Sequence, residues 1–63
     1  MTPMEKVLTL IGIGDNLSVL ENEELRKCLN ELFSLEYLDV VDTKVVLTSK
    51  GEEALKNISE ELV

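Results

Sequence analysis

Two short runs of strand-forming residues, separated by two polar residues, constrain this 63-residue chain more than any other feature. The runs are Tyr37 to Val41 and Lys44 to Leu47, with Asp42 and Thr43 between them. β-branched and aromatic residues favour strands, and a two-residue connection permits only a tight antiparallel hairpin. The chain must therefore fold back on itself here, between helical segments on either side.

The first helix is predicted to begin at Thr2, a good N-cap residue, with Pro3 where its missing N–H costs nothing. Apolar residues then recur at the spacing of one helical face. Either Gly12 or Gly14 can provide a left-handed C-cap. The connection 15–21 contains a small apolar cluster, and it fits equally a short helical turn or an extended piece.

The second helix is predicted from Asn22, a favourable N-cap, to near Leu35. The last helix opens at Thr48 or Ser49, and either residue can cap it. Gly51 lies inside the first turn of this helix and costs up to about 1 kcal/mol of helix propensity. Such a glycine predicts a close backbone approach to the hairpin or to the first helix, with chance as the alternative.

The order of these elements predicts an α+β, mainly helical fold, with about three helices packed on a short two-stranded antiparallel hairpin. The chain is predicted to be one domain, 1–63, and a domain of this size buries only about 60% of the surface of its unfolded chain. The single cysteine cannot form an internal disulfide, and the chain has no histidine to help hold zinc. Helix packing or self-association is therefore the expected reinforcement.

About half of the chain, from Asn22 to Leu55, resembles winged-helix proteins. The matching pattern is Leu32-x-x-Leu35-x-x-Leu38, then the hairpin, then Val46-Leu47-Thr48-x-x-Gly51-x-x-Ala54-Leu55. This pattern is similar to the wing and the following helix of small archaeal and bacterial regulators of the MarR and PadR kind. The resemblance implies a winged helix-turn-helix whose recognition helix is residues 22–35 and whose wing turn is residues 42–44.

The chain departs from this family in two respects. The segment before Asn22 is shorter than a full helix plus turn, so the helix-turn-helix is abbreviated. The wing is minimal, and Asp39 and Asp42 lie beside the lone Lys44, whereas DNA-binding wings are usually longer and basic.

DNA binding is the alternative function that the resemblance raises. Arginine and asparagine suit base edges, and lysine suits phosphates. Thirteen acidic against six basic residues give a net charge of −7, which repels nucleic acid and anionic membranes. DNA is therefore disfavoured as a partner, and the residues expected to contact it if it binds are Arg26, Lys27, Asn30, Ser34, Lys44 and Lys50.

The favoured hypothesis is a regulatory module that binds a protein partner or forms a homodimer. The first and last helices carry more apolar residues than a small three-helix core can cover, and an uncovered apolar patch marks an interface. Dimerisation through terminal helices is also what the resemblance implies. The predicted interface residues are Val7, Leu10, Ile11, Ile58 and Leu62.

The sequence predicts no enzyme. It lacks a histidine for general-base work, and the paired glutamates are adjacent on helices, so their carboxylates point in different directions. Cys28 lies in an apolar stripe and is expected to act as a small hydrophobic residue. No cofactor, metal or small-molecule substrate is indicated. No apolar run can span a bilayer and no signal peptide is evident, so the predicted location is cytoplasmic.

Overall fold

The structure, a computed structural model, describes residues 2–61 and the side-chain surroundings of residues up to 58. Two strands in this range form an antiparallel hairpin, and the connection 15–21 contains a short helix, so the described chain has four helices where about three were expected. The α+β, mainly helical class is confirmed. The elements are α1 (Pro3–Gly12), α2 (Asn16–Glu21), α3 (Glu23–Ser34), β1 (Leu38–Val41), β2 (Lys44–Leu47) and α4 (Ser49–Glu61).

Helix α1 begins with the predicted Thr2 cap and with Pro3 in its first turn. The Thr2 hydroxyl accepts a hydrogen bond from the Glu5 N–H at 3.2 Å, and the Glu5 carboxylate accepts one from the Thr2 N–H at 2.9 Å. This reciprocal pair satisfies two N–H groups that the helix leaves free. Hydrogen bonding of the Glu5 carboxylate to the Thr2 backbone N–H, and secondly to the Thr2 side chain, lowers the pKa of the Glu5 carboxyl.

The two glycines at the end of α1 have different roles. Gly14 has a φ of 83° and provides the left-handed residue after the helix, and its N–H donates to the Ile11 carbonyl at 3.0 Å. Gly12 is the last helical residue, and a Cβ there would lie 2.6 Å from Cδ2 of Leu55. Gly12 therefore permits α4 to approach α1 closely.

The core is formed by eight apolar side chains from α1, α2, α3 and β1. Leu32, Val7 and Val19 are the largest that are fully buried, and α3 packs against both preceding helices. Partly buried residues of β2 and α4 pack against the same cluster. The core residues are Val7, Leu8, Ile11, Val19, Leu25, Leu29, Leu32 and Leu38.

The prediction of Val7 and Ile11 as interface residues is wrong. Their side chains are 0% and 5% exposed, because α2 adds cover to α1 that a three-helix core would lack. Leu10 and Ile58 are partly buried against the same core. Leu62 lies outside the described residues.

Thr48 joins the hairpin to α4 and is the cap of that helix. Its hydroxyl accepts from the Gly51 N–H at 3.2 Å and donates to the Glu36 carbonyl, and its own N–H donates to the Tyr37 carbonyl at 3.0 Å. A Cβ at Gly51 would overlap the Tyr37 carbonyl oxygen. The predicted close backbone approach at Gly51 is confirmed, and the backbone that it meets is the one entering the hairpin.

We expect Gly51→Ala to lower the free energy of unfolding by about 2 kcal/mol, because the added methyl group forces α4 away from Tyr37. Urea unfolding followed by circular dichroism measures this change. Lys56→Ala, at an exposed position of the same helix, is the matched control and should change stability by less than about 0.5 kcal/mol. Equal stability of the two variants would contradict the contact.

The hairpin turn is made without glycine. Asp42 and Thr43 have φ values of 50° and 65°, which are the left-handed values of a type I′ turn. A β-branched residue such as Thr43 is unfavourable in this region. Contacts from outside the turn must therefore help to hold the hairpin in place.

Asn16 provides such a contact. Its side-chain nitrogen donates to the Val45 carbonyl at 3.1 Å, and its side-chain oxygen accepts from the Val45 N–H at 2.7 Å. Val45 faces Val40 across the hairpin in a pair whose backbone groups point outward. The Asn16 amide thus binds the β2 edge as the peptide group of a third strand would. On the other edge, the Val40 N–H donates to the Asp39 carboxylate at 2.8 Å.

Asn16→Ala should lower the free energy of unfolding by about 1–2 kcal/mol, because two hydrogen bonds are lost and the Val45 backbone groups lose their partner. Amide hydrogen exchange should accelerate more at Val45 than at Val46, whose N–H points into the hairpin. Asn57→Ala, at an exposed asparagine of α4, is the control. Unchanged exchange at Val45 would show that Asn16 does not hold the strand.

Candidate functional site

The side chains predicted to contact nucleic acid are all exposed, but they lie on three elements. Four of them are on the outer face of α3, one begins β2 and one is in the first turn of α4. The α3 group shares a helix face, which is the arrangement that reading a groove requires. These residues are Arg26, Lys27, Asn30 and Ser34 on α3, Lys44 on β2 and Lys50 on α4.

Acidic neighbours reduce the positive charge of the α3 face. Glu23 and Glu31 are four residues before and after Lys27, so both carboxylates flank that ammonium group along the helix. The Arg26 guanidinium is turned back toward α2, with Nη1 at 3.5 Å from the Leu20 carbonyl oxygen. The outer face of α3 is therefore a mixed-charge surface and not a basic stripe.

Two other predicted contact residues are engaged within the chain. The Lys50 ammonium lies 3.3 Å from the Glu36 carboxylate, and both side chains are exposed. The Ser34 hydroxyl donates to the Asn30 carbonyl at 3.0 Å. A phosphate at Lys50 would have to compete with a carboxylate, although an exposed ion pair contributes little to stability.

Exposed apolar side chains identify a different surface. Ile13, Leu17 and Leu20 are 72%, 64% and 47% exposed, and all three lie where α1 turns into α2. We call these three residues the corner patch. Other large apolar side chains with substantial exposure occur at the end of α3 and on β1, and these are Leu35, Val40 and Val41.

The geometry of α2 explains why two leucines point outward. Val19 is fully buried in the core, and Leu17 and Leu20, one helical turn apart, lie on a neighbouring face of the helix that the core does not cover. Asp15 fixes the start of α2, because its carboxylate accepts from the Ser18 N–H at 3.2 Å and from the Ser18 hydroxyl at 2.7 Å. Burial of Val19 thus leaves Leu17 and Leu20 exposed in this orientation of α2.

The corner patch borders a shallow concave surface between α2 and the hairpin turn. Its volume is about 330 Å³, and its walls include Leu17 and Leu20 on one side and Thr43 and Lys44 on the other. The hydrogen bonds between Asn16 and β2 hold these two sides together. This concavity offers apolar anchor points with one lysine at the rim.

Other features of the described residues offer little chemistry. An open groove of about 400 Å³ lies between the α3–β1 connection and α4, and its lining includes Leu35, Tyr37 and Glu53. Cys28 is half-buried, and its thiol donates weakly to the Glu24 carbonyl at 3.6 Å. Within residues 2–58, acidic and cysteine side chains form no group of three that could hold a metal ion. No helix of the described chain has the length and apolar character needed to cross a membrane.

Sequence reasoning missed the corner patch. The signal was present in the cluster at residues 17–20, because a helix would place Leu17 and Leu20 on one side and Val19 away from Leu17. It could not be used while residues 15–21 fitted an extended piece equally well. Comparisons with protein-family models, with curated proteins and with solved structures gave no match to this chain.

Proposed function

We propose that this protein is a non-enzymatic, winged-helix-like regulatory module that binds another protein through the corner patch. The observation that carries the proposal is the exposure of Ile13, Leu17 and Leu20 in one corner of a small fold. Monomeric proteins rarely leave large contiguous apolar patches in water, and such patches mark interaction sites. The surface expected to read DNA carries acidic residues instead.

The order of elements supports the winged-helix part of the proposal. A helix, α2, precedes α3 as in a helix-turn-helix, and the hairpin follows α3 as a wing would. Asn16 binds the β2 edge at the position of a third strand. The module is proposed to act in the cytoplasm, because its single cysteine gives no disulfide framework.

A site-specific crosslinking experiment tests the proposal. Photoreactive benzoylphenylalanine replaces Leu17 in one variant and Lys56, an exposed residue of α4, in the control. We expect the variant at position 17 to give a discrete crosslinked protein in the cells that make this chain. Mass spectrometry identifies the product as another protein or as a second copy.

The added substitution Leu20→Ser should abolish that product, because it removes one of the two exposed leucine side chains of α2. Circular dichroism should show unchanged folding, since Leu20 lies outside the core. Equal crosslinking at positions 17 and 56, or crosslinking that survives Leu20→Ser, would contradict the role of the corner patch.

DNA binding is the second candidate, and the shared exposure of Arg26, Lys27 and Asn30 on α3 favours it. On our proposal, duplex DNA should not bind measurably at ~20 mM salt, a condition that strengthens phosphate contacts. Fluorescence anisotropy with a labelled duplex measures this. Binding that weakens steeply with salt and is lost in Arg26→Ala/Lys27→Ala would establish DNA as the partner.

A further inference from the structure

The charge around the corner patch indicates what kind of partner it fits. Residues 13–24, which carry the patch, contain four acidic residues and no basic residue. Glu21 lies one turn after Leu17 on the same side of α2, and Glu23 begins α3, whereas Glu24 lines a separate hollow with Thr2 and Lys6. Asp15 lines the concavity itself. The apolar surface therefore has an acidic border.

Two basic side chains also lie near this surface. Lys44 lines the concavity, and Arg26 is held toward the Leu20 carbonyl. They balance Asp15 and Glu21 locally, but the whole chain carries a net charge of −7 and surrounds the patch with a negative field. A second copy would bring the same charge, and association of like-charged surfaces is unfavourable. Charge complementarity favours a basic partner.

The hairpin edges disfavour a partner that adds a strand. The outward N–H and C=O of Val45 are bound by Asn16, and the outward N–H of Val40 is bound by Asp39. Strand addition requires such groups to be free. These contacts favour docking through side chains. Leu17 and Leu20, one turn apart, form a ridge on α2, and a ridge of this kind packs into the groove between side chains of another helix.

We propose that the corner patch binds the apolar face of a basic amphipathic helix from another protein, with Asp15 and Glu21 facing the basic residues of that helix. This inference rests on the proposed function and specifies its partner. The leucines anchor the helix through burial, and the carboxylates select its charge.

The test uses three peptides of about 18 residues, long enough to form helix on binding. They share one leucine face and carry lysine, glutamine or glutamate on the other face. A scrambled lysine peptide of the same composition has the same charge but no apolar helical face, so it controls for binding by charge attraction alone. Amide chemical shifts of the ¹⁵N-labelled chain report both the affinity and the binding surface. Sedimentation of the chain alone is measured first, because self-association would compete.

We expect the lysine peptide to shift the amides of Leu17, Leu20, Thr43 and Lys44, and to bind about tenfold tighter than the glutamine peptide. The glutamate and scrambled peptides should not shift these amides. Leu17→Ala/Leu20→Ala should weaken binding of the lysine peptide about tenfold. Leu35→Ala/Val41→Thr, which changes apolar exposure elsewhere, should bind as the parent chain does.

The alternative outcomes separate the two proposals. Equal binding of the lysine and glutamine peptides at the corner patch would overturn the basic partner and leave the protein-binding function intact. A dimer that Leu17→Ala/Leu20→Ala abolishes would make a second copy the occupant and would likewise overturn only this inference. Shifts that map away from the patch, or that survive Leu17→Ala/Leu20→Ala, would contradict both proposals.

Discussion

The paired hydrogen bonds between the Asn16 amide and the Val45 backbone connect two elements that are each weak alone. Helix α2 has six residues, and isolated helices shorter than about 12 residues are marginal in water. A two-stranded hairpin is also marginal by itself. Val19 anchors α2 in the core and Leu38 anchors β1, so Asn16 joins two elements that the core already holds. The walls of the concavity beside the corner patch depend on this link.

The hairpin shows why tertiary contacts are needed. Glu36, Asp42 and Thr43 all have positive φ, although glycine or asparagine would adopt these conformations at lower cost. Non-glycine residues persist there only when surrounding structure determines them. Thr48 binds the Glu36 carbonyl at the base of the hairpin, and Asn16 binds β2 near its tip. The conformation is therefore set at both ends by residues outside the strands.

The sequence predicted what depends on local chemistry. The caps at Thr2, Asn22 and Thr48 follow from side chains that satisfy nearby N–H groups, and the two-residue connection implied the hairpin. It did not predict the Asn16 contact, which joins residues 29 apart. The interface was misplaced for the same reason, because burial of α1 depends on a helix whose existence the sequence left open.

For the candidate binding residues too, local periodicity predicted exposure but not the contacts that the side chains make. Exposure of the α3 face was predictable from periodicity, and all six predicted contact residues are exposed. The turn of Arg26 toward Leu20 and the pairing of Lys50 with Glu36 depend on contacts that the sequence does not reveal. The corner patch required knowing which side of α2 faces the core, and only the buried position of Val19 supplies that.

The free energy available from apolar burial limits the affinity of the proposed contact. Full burial of a leucine or isoleucine contributes roughly 1.5–3 kcal/mol, and the patch residues are already partly covered. Three such side chains therefore offer only several kcal/mol, whereas association costs about 4–15 kcal/mol in lost freedom. A weak, reversible complex is thus the form of regulation that this surface supports.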